Sequence, residues 1–118
     1  MSLTNIIIII TLILFFVMKN MGQINAEEAK KLIEQGALIV DVRSAAEFSG
    51  GSVKNAINIP LDSLKLKIAE VAPDKNKPLL VFCLSGSRSA LAKRILSAEG
   101  YTNVHNLGSF MRAKSIVE

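Results

Sequence analysis

Scarcity is the first feature of this chain: one cysteine, one histidine, three prolines and no tryptophan among 118 residues. A single cysteine excludes an internal disulfide, a Cys-x-x-Cys redox pair and a cysteine-rich zinc site. A thiol that reacts here must find any partner thiol on another molecule. The one histidine, His105, has no companion at metal-ligand spacing, so it reads as an ordinary strand position and no metal site is expected. Aromatics make up only 5% of the chain, and there is no long Lys/Arg block. Stacking platforms and basic tracts are both missing, which argues against nucleic acid as a partner. No internal repeat or low-complexity tract follows Met18.

Charge is missing from one place in particular. Residues 1–18 carry none, so all 14 basic and 10 acidic side chains, with their net +4, belong to the remainder. Residues 1–20 therefore read as a hydrophobic membrane anchor or signal segment, and residues 23–118 as one domain. Leu3 to Met18 spans 16 residues, or about 24 Å of helix, against a bilayer core of about 30 Å. Lys19 could snorkel, and Asn20 to Ile24 could sit at the interface. A cleaved signal is the rival reading on length. However, "MSLTN" lacks Lys and Arg, and "KNMGQIN" offers no small-x-small cleavage site. The expectation is an uncleaved anchor at residues 3–18, with the membrane as a partner. Basic residues follow the segment (Lys19, Lys30, Lys31), which favours a cytoplasmic domain over a periplasmic or extracytoplasmic one.

The remainder alternates strands and helices. "QIN" reads as a short first strand, and Asn25 with Glu28 has capping-box spacing for the helix that follows, stopped at Gly36. "ALIVDV" and "PLLVFC" are unbroken apolar runs, as expected of strands buried on both faces. "AINIP" and "NVHNL" read as two more strands. "SAAEF" is a helical turn, and a helix runs from Asp62 or Ser63 to about Val71. "SRSALAKRILSAEG" is the clearest helix, with Ala90, Leu91, Ile95, Leu96 and Ala98 on its apolar face. "GSFMRAKSIV" closes the chain as a helix. The fold class is α/β, a small parallel sheet of about five strands with helices on both faces.

The lone cysteine falls at a telling position. Cys83 ends the strand "PLLVF" and precedes the helix "ALAKRIL", and ligands of parallel α/β sheets bind at the carboxyl ends of strands. Between them stand Leu84, Ser85, Gly86, Ser87 and Arg88, small and basic residues that suit an anion cradle better than a core. Loop N–H groups, the following helix N-terminus and Arg88 all favour thiolate over thiol. Each unit of thiol pKa is worth about 1.36 kcal/mol, whereas a helix terminus supplies about 0.3–1 kcal/mol. The loop N–H groups must therefore supply most of any large shift. Arg88 lies five positions after Cys83, a Cys-x4-Arg spacing. Cysteine phosphatases use Cys-x5-Arg, so this nest is one residue tighter, better sized for a single terminal sulfur than for a phosphoryl group.

"CLSGSRS" resembles the active-site loop of single-domain rhodaneses, Cys-x-x-Gly-x-Arg-Ser. "LIVDVRSAAEF" is similar to that family's Asp-Val-Arg…Glu-Phe element, and "GSVKNAINIPL" to its Gly-His-Ile-x-Gly-Ala-x-Asn-Ile-Pro-Leu element. "NVHNLGSFMRA" resembles its closing strand and glycine-containing segment. The four stand in family order over about 95 residues from Gln23 onward. The resemblance implies a five-stranded parallel sheet and sulfurtransfer without a cofactor. Cys83 would take sulfane sulfur from a small anionic donor such as thiosulfate, become a persulfide and pass the sulfur to cyanide, a thiol or a protein acceptor. Backbone N–H groups of Leu84 to Arg88 would stabilise the persulfide, and Arg88 would bind the donor. The sequence departs from the family at Ser52 (His), Asn55 (Gly), Ser109 (the second Gly) and Ala113 (Trp).

Asp41 and Arg43 flank a strand end and are expected to form an ion pair bracing the site. Glu47 is expected to partner a basic group or a backbone N–H. Lys93 and Arg94 read as a solvated helix face. Two other functions compete with the enzyme: a non-catalytic, membrane-tethered binding module on the same fold, and a cysteine phosphatase or arsenate reductase, which the short loop disfavours.

Overall fold

The computed structural model describes residues 1–20 and 22–118, for residues 16–20 the backbone alone. The elements run α1 (Leu3–Asn20), α2 (Ala26–Glu34), β1 (Leu38–Asp41), α3 (Ala45–Gly50) and β2 (Ile57–Asn58). A 3₁₀ turn (Leu61–Ser63) then leads into α4 (Leu64–Val71), β3 (Leu79–Phe82), α5 (Ser87–Ala98), β4 (Val104–Gly108) and α6 (Phe110–Val117).

All strand pairs are parallel, in the order β2-β1-β3-β4. Among the described residues the sheet has four strands rather than about five. The expected first strand, "QIN", contributes a single bridge from Gln23 to Asn106, followed by Ile24 N–H donating to Asn106 O at 2.9 Å. Asn25 then caps α2 by accepting from the amides of Glu27 and Glu28, so the chain leaves the sheet after one rung.

Strand alternation divides the core into two layers. Val40, Leu79, Val81 and Cys83 face α4 and α5 with Leu64, Ile68, Ala92 and Leu96. Ile39, Leu80, Phe82 and Leu107 face the other side with Ala29 of α2 and Ala113 of α6. The unbroken apolar run of β3 follows directly, since all four of its residues are buried. On α5 the buried residues are Ser89, Ala92 and Leu96, and Leu91, expected inside, is 47% exposed. The i, i+3, i+7 line through Ser89 wins because the helix must turn that serine under the loop.

The membrane-spanning anchor expected over residues 3–18 is not supported, and neither is the membrane as a partner. Among the described residues, no helix is long and apolar enough to cross a membrane. α1 is 18 residues long, a rise of about 27 Å against a hydrocarbon core of about 30 Å. The last positions of the expected anchor, 16–18, lie outside the described side chains.

Two departures from the rhodanese pattern have local explanations. Asn55 sits at φ 65°, a left-handed conformation that asparagine tolerates better than other non-glycine residues. Ser109 is the N-cap of α6, its hydroxyl accepting from Arg112 N–H at 3.1 Å. The side chain that replaces glycine there closes a helix end.

Candidate active site

Cys83 extends β3 by one further rung, its N–H donating to Gly108 O at 3.2 Å. Its side chain is fully buried on the α5 side of the sheet. The chain then turns back on itself over Leu84 to Gly86 and enters α5. The turn needs Gly86, the residue preceding α5, at φ 104°. The carboxamide of Gln23 covers it, with Nε2 only 3.4 Å from where a Cβ would stand. Gly108 faces the same carboxamide at 3.0 Å and is also left-handed, at φ 99°. A side chain at either position would be strained by the left-handed backbone, and at Gly108 it would also crowd Gln23 and Arg112.

This turn aims donors at the sulfur. Gly86 N–H lies 3.0 Å from Sγ and Ser89 N–H 3.4 Å, while the thiol itself donates to the Ser89 hydroxyl oxygen at 3.6 Å. Burial pushes the Cys83 thiol pKa up. The Ser89 hydroxyl and amide, with the amides of Gly86 and Ser85, outweigh it and bring the thiol below its ordinary value. The residues of the expected cradle are placed unevenly around the sulfur. Leu84 points outward, 56% exposed, and its carbonyl receives Phe110 N–H at 3.2 Å. Ser87 turns its hydroxyl toward that of Ser85, 3.4 Å away.

Ser89 is the closing serine of the loop motif, a position to which the sequence alone attached no role. Its hydroxyl donates to Gly86 O at 3.0 Å, with Gly108 O at 3.5 Å, and its oxygen accepts from the Cys83 thiol at 3.6 Å. The signal was available in the spacing. Ser89 follows the first turn of α5 on the face that must point inward, and a buried polar side chain beside a strand end needs partners.

Arg88 differs most from expectation. Its guanidinium makes a two-pronged pair with Glu47, Nη1 to Oε1 at 2.7 Å and Nη2 to Oε2 at 3.0 Å. Hydrogen bonding to Arg88 foremost, and to the Ser44 amide next, lowers the Glu47 carboxyl to about 2. Arg88 is raised in turn, first by Glu47 and to a lesser extent by facing Cys83. Glu47 also closes a capping box on α3, accepting from Ser44 N–H at 3.0 Å while its own N–H donates to Ser44 Oγ at 3.2 Å. One carboxylate thus fixes the helix start and the loop arginine together, matching both partners expected of it. A cavity of about 300 Å³ opens beside Arg88, lined by Val42, Ser44, Pro60, Leu61 and Asp62.

Asp41 and Arg43 form the expected brace. Asp41 is fully buried and Arg43 only 4% exposed. Arg43 Nε lies 3.0 Å from each Asp41 oxygen, Nη2 reaches Oδ2 at 2.8 Å, and the Arg43 amide reaches Oδ1 at 2.9 Å. Nη2 continues to Gly51 O at 2.7 Å, and the guanidinium lies 4.4 Å from the centroid of Phe110. The Arg43 amide, Nε and Nη2 are thus engaged within the fold, which suits a strut between the β1 end, the α3 exit and α6. His105 is a strand residue whose Nε2 lies 2.6 Å from Asn103 Oδ1. No group of metal-binding side chains occurs among the described residues.

Residues 25–114 match the model of the rhodanese-like domain. Thiosulfate sulfurtransferase PspE of Escherichia coli is 46% identical over 69 residues, covering 58% of this chain and 66% of that protein, just under two thirds of its length. The thiosulfate:glutathione sulfurtransferase of Saccharomyces cerevisiae is 30% identical over 102 residues, covering 72% of this chain and 73% of that one. Among solved structures, a rhodanese with anions from E. coli superposes with a TM-score of 0.63 at 42% identity, covering 65% of this chain and 91% of the other. The shared region takes in the sheet, the cysteine turn and the start of α6, and the chain belongs to the rhodanese family.

Proposed function

We propose that this protein is a sulfurtransferase in which Cys83 carries sulfane sulfur as a persulfide. The observation that carries the reading is the pair of amides donating to a buried sulfur, Gly86 N–H at 3.0 Å and Ser89 N–H at 3.4 Å, with the Ser89 hydroxyl 3.6 Å away. In the first half-reaction the Cys83 thiolate attacks the outer sulfur of thiosulfate. An Sγ–S bond forms, the S–S bond of the donor breaks, and sulfite leaves with the electron pair. In the second, a thiolate or cyanide attacks the outer sulfur of the persulfide, and Cys83 leaves as thiolate. No outside oxidant or reductant is consumed, and ping-pong kinetics follow from the covalent intermediate.

The donors at Sγ stabilise the thiolate in the resting state and the persulfide anion between half-reactions. Arg88, held by Glu47, presents a half-compensated charge to an arriving anion, so the amides carry more of the anion stabilisation than the arginine does. The names of the relatives support thiosulfate as donor and a small thiol as acceptor.

Incubation with thiosulfate is expected to add one sulfur, about 32 Da, to the intact protein. Cys83→Ser should show no adduct. An unmodified wild-type mass after exposure of the reduced, folded protein to thiosulfate and to a neutral polysulfide overturns the proposal.

A further inference from the structure

We infer that Asn106, which makes no contact with the sulfur, is a positioning residue for the Cys83 thiolate. Asn106 is a buried polar side chain on β4, 5% exposed. Its Oδ1 accepts from Gly108 N–H at 2.9 Å, and its Nδ2 donates to Gly86 O at 3.5 Å. One carboxamide therefore links the two left-handed glycines that shape the site.

Each link has a consequence for the sulfur. The β3–β4 register shifts at this point, with Val81 opposite Asn106 and Phe82 opposite Gly108. Such bulges redirect the chain beside active sites. The Asn106–Gly108 bond pins this one, and it is the bulge that brings Gly108 O to the Cys83 amide. The second link concerns Gly86, whose N–H points at Sγ while its carbonyl is wanted by both Asn106 and Ser89. Ser89 has one hydroxyl proton. With the amide of Asn106 on Gly86 O, that proton is released to turn toward Sγ when the thiol ionises. Without Asn106, the carbonyl competes for it against the thiolate.

The inference rests on Cys83 being the reacting group, but its test does not require sulfurtransfer. The charged groups facing Cys83 are Arg88 of α5 and, through it, Glu47 of α3, and both stay unchanged. The rate of Cys83 alkylation by iodoacetamide is measured against pH in the wild type and in Asn106→Leu, which matches the shape and removes both bonds. Expected is a rate about tenfold lower at pH 7, converging with wild type at alkaline pH where every thiol is ionised. Superimposed profiles in folded Asn106→Leu overturn the inference. So does a loss equal at all pH values, which would report access rather than ionisation.

Should Asn106→Leu not fold, Asn106→Ala decides. It removes both bonds without adding charge. A slower neutral-pH rate that converges with wild type at alkaline pH supports positioning. An unchanged profile, or a loss equal at all pH values, overturns it. Failure of the wild type to take up sulfur would sink the sulfurtransferase reading and leave this alkylation result standing.

Discussion

The pairing of Arg88 with Glu47 makes a prediction that depends on both residues at once. Arg88→Ala does more than remove a positive charge. It strands the Glu47 carboxylate, lowered to about 2 by that partner, as an uncompensated anion near the cavity beside Arg88, where the proposed function would bring thiosulfate. Two unit charges about 4 Å apart at an effective dielectric of 20 interact by about 4 kcal/mol. The two side chains are 36% and 29% exposed, so solvent screening reduces the usable coupling to about 1 kcal/mol. Glu47→Gln is the appropriate second substitution, since a glutamine oxygen still accepts from Ser44 N–H and spares the capping box. Single-turnover sulfuration by thiosulfate would be followed in the wild type, both single variants and the double variant. The double variant is expected to recover about fivefold of the kcat/KM lost in Arg88→Ala, a coupling of about 1 kcal/mol. If Arg88→Ala and the double variant have the same kcat/KM, the stranded carboxylate is not part of the penalty and the reasoning fails.

Other consequences can be checked separately. Ser89→Ala removes the hydroxyl 3.6 Å from Sγ and should slow alkylation of Cys83 at pH 7 about fivefold, with little change at high pH; an unchanged pH profile would leave the amides as the only stabilisers. Arg43→Met leaves Asp41 fully buried with no counter-ion. Thermal unfolding should then show a loss of about 3–5 kcal/mol, and a loss below about 1 kcal/mol would refute the strut. The Glu47 carboxyl is depressed in the folded state. Its pair therefore stabilises fully above about pH 4.5, the ordinary value, and is lost as pH falls toward 2. Acid unfolding of Glu47→Gln should lack that part of the pH dependence, which identical acid curves would exclude.

The layout of the sheet was legible because β1 and β3 are unbroken apolar runs between glycine and proline signals, and because α5 begins directly after the only cysteine. The first strand was overestimated because three residues cannot reveal how many rungs they form. Its length was decided by Asn25, which takes the following amides for α2. The Asp41–Arg43 brace was legible from two charges flanking one residue at a strand end. Less legible was the direction of Arg88. Its partner lies 41 positions earlier in the chain, and only the closure of α3 against the start of α5 brings the two together. Asn106 was invisible for a similar reason, since its value depends on the left-handed turns of Gly86 and Gly108, which local sequence does not place side by side.

Burial and solitude of the thiol together determine how its sulfur can leave. Cys83 is fully buried, and the chain offers no second cysteine. A persulfide formed there has no intramolecular thiol to attack it, and a second copy of the protein would have to bring one buried sulfur to another. The persulfide should therefore outlast its donor. After removal of thiosulfate by desalting, the adduct of about 32 Da should persist while the protein stays folded, then disappear when a small thiol or cyanide is added. Intact mass over time, with and without acceptor, measures both halves. Prompt loss without acceptor, accompanied by a disulfide-linked dimer through Cys83, would mean that the turn opens far more freely than its hydrogen bonds imply. Persistence followed by rapid discharge fits a cradle that shields the outer sulfur while the protein stays folded and still admits a small thiol or cyanide.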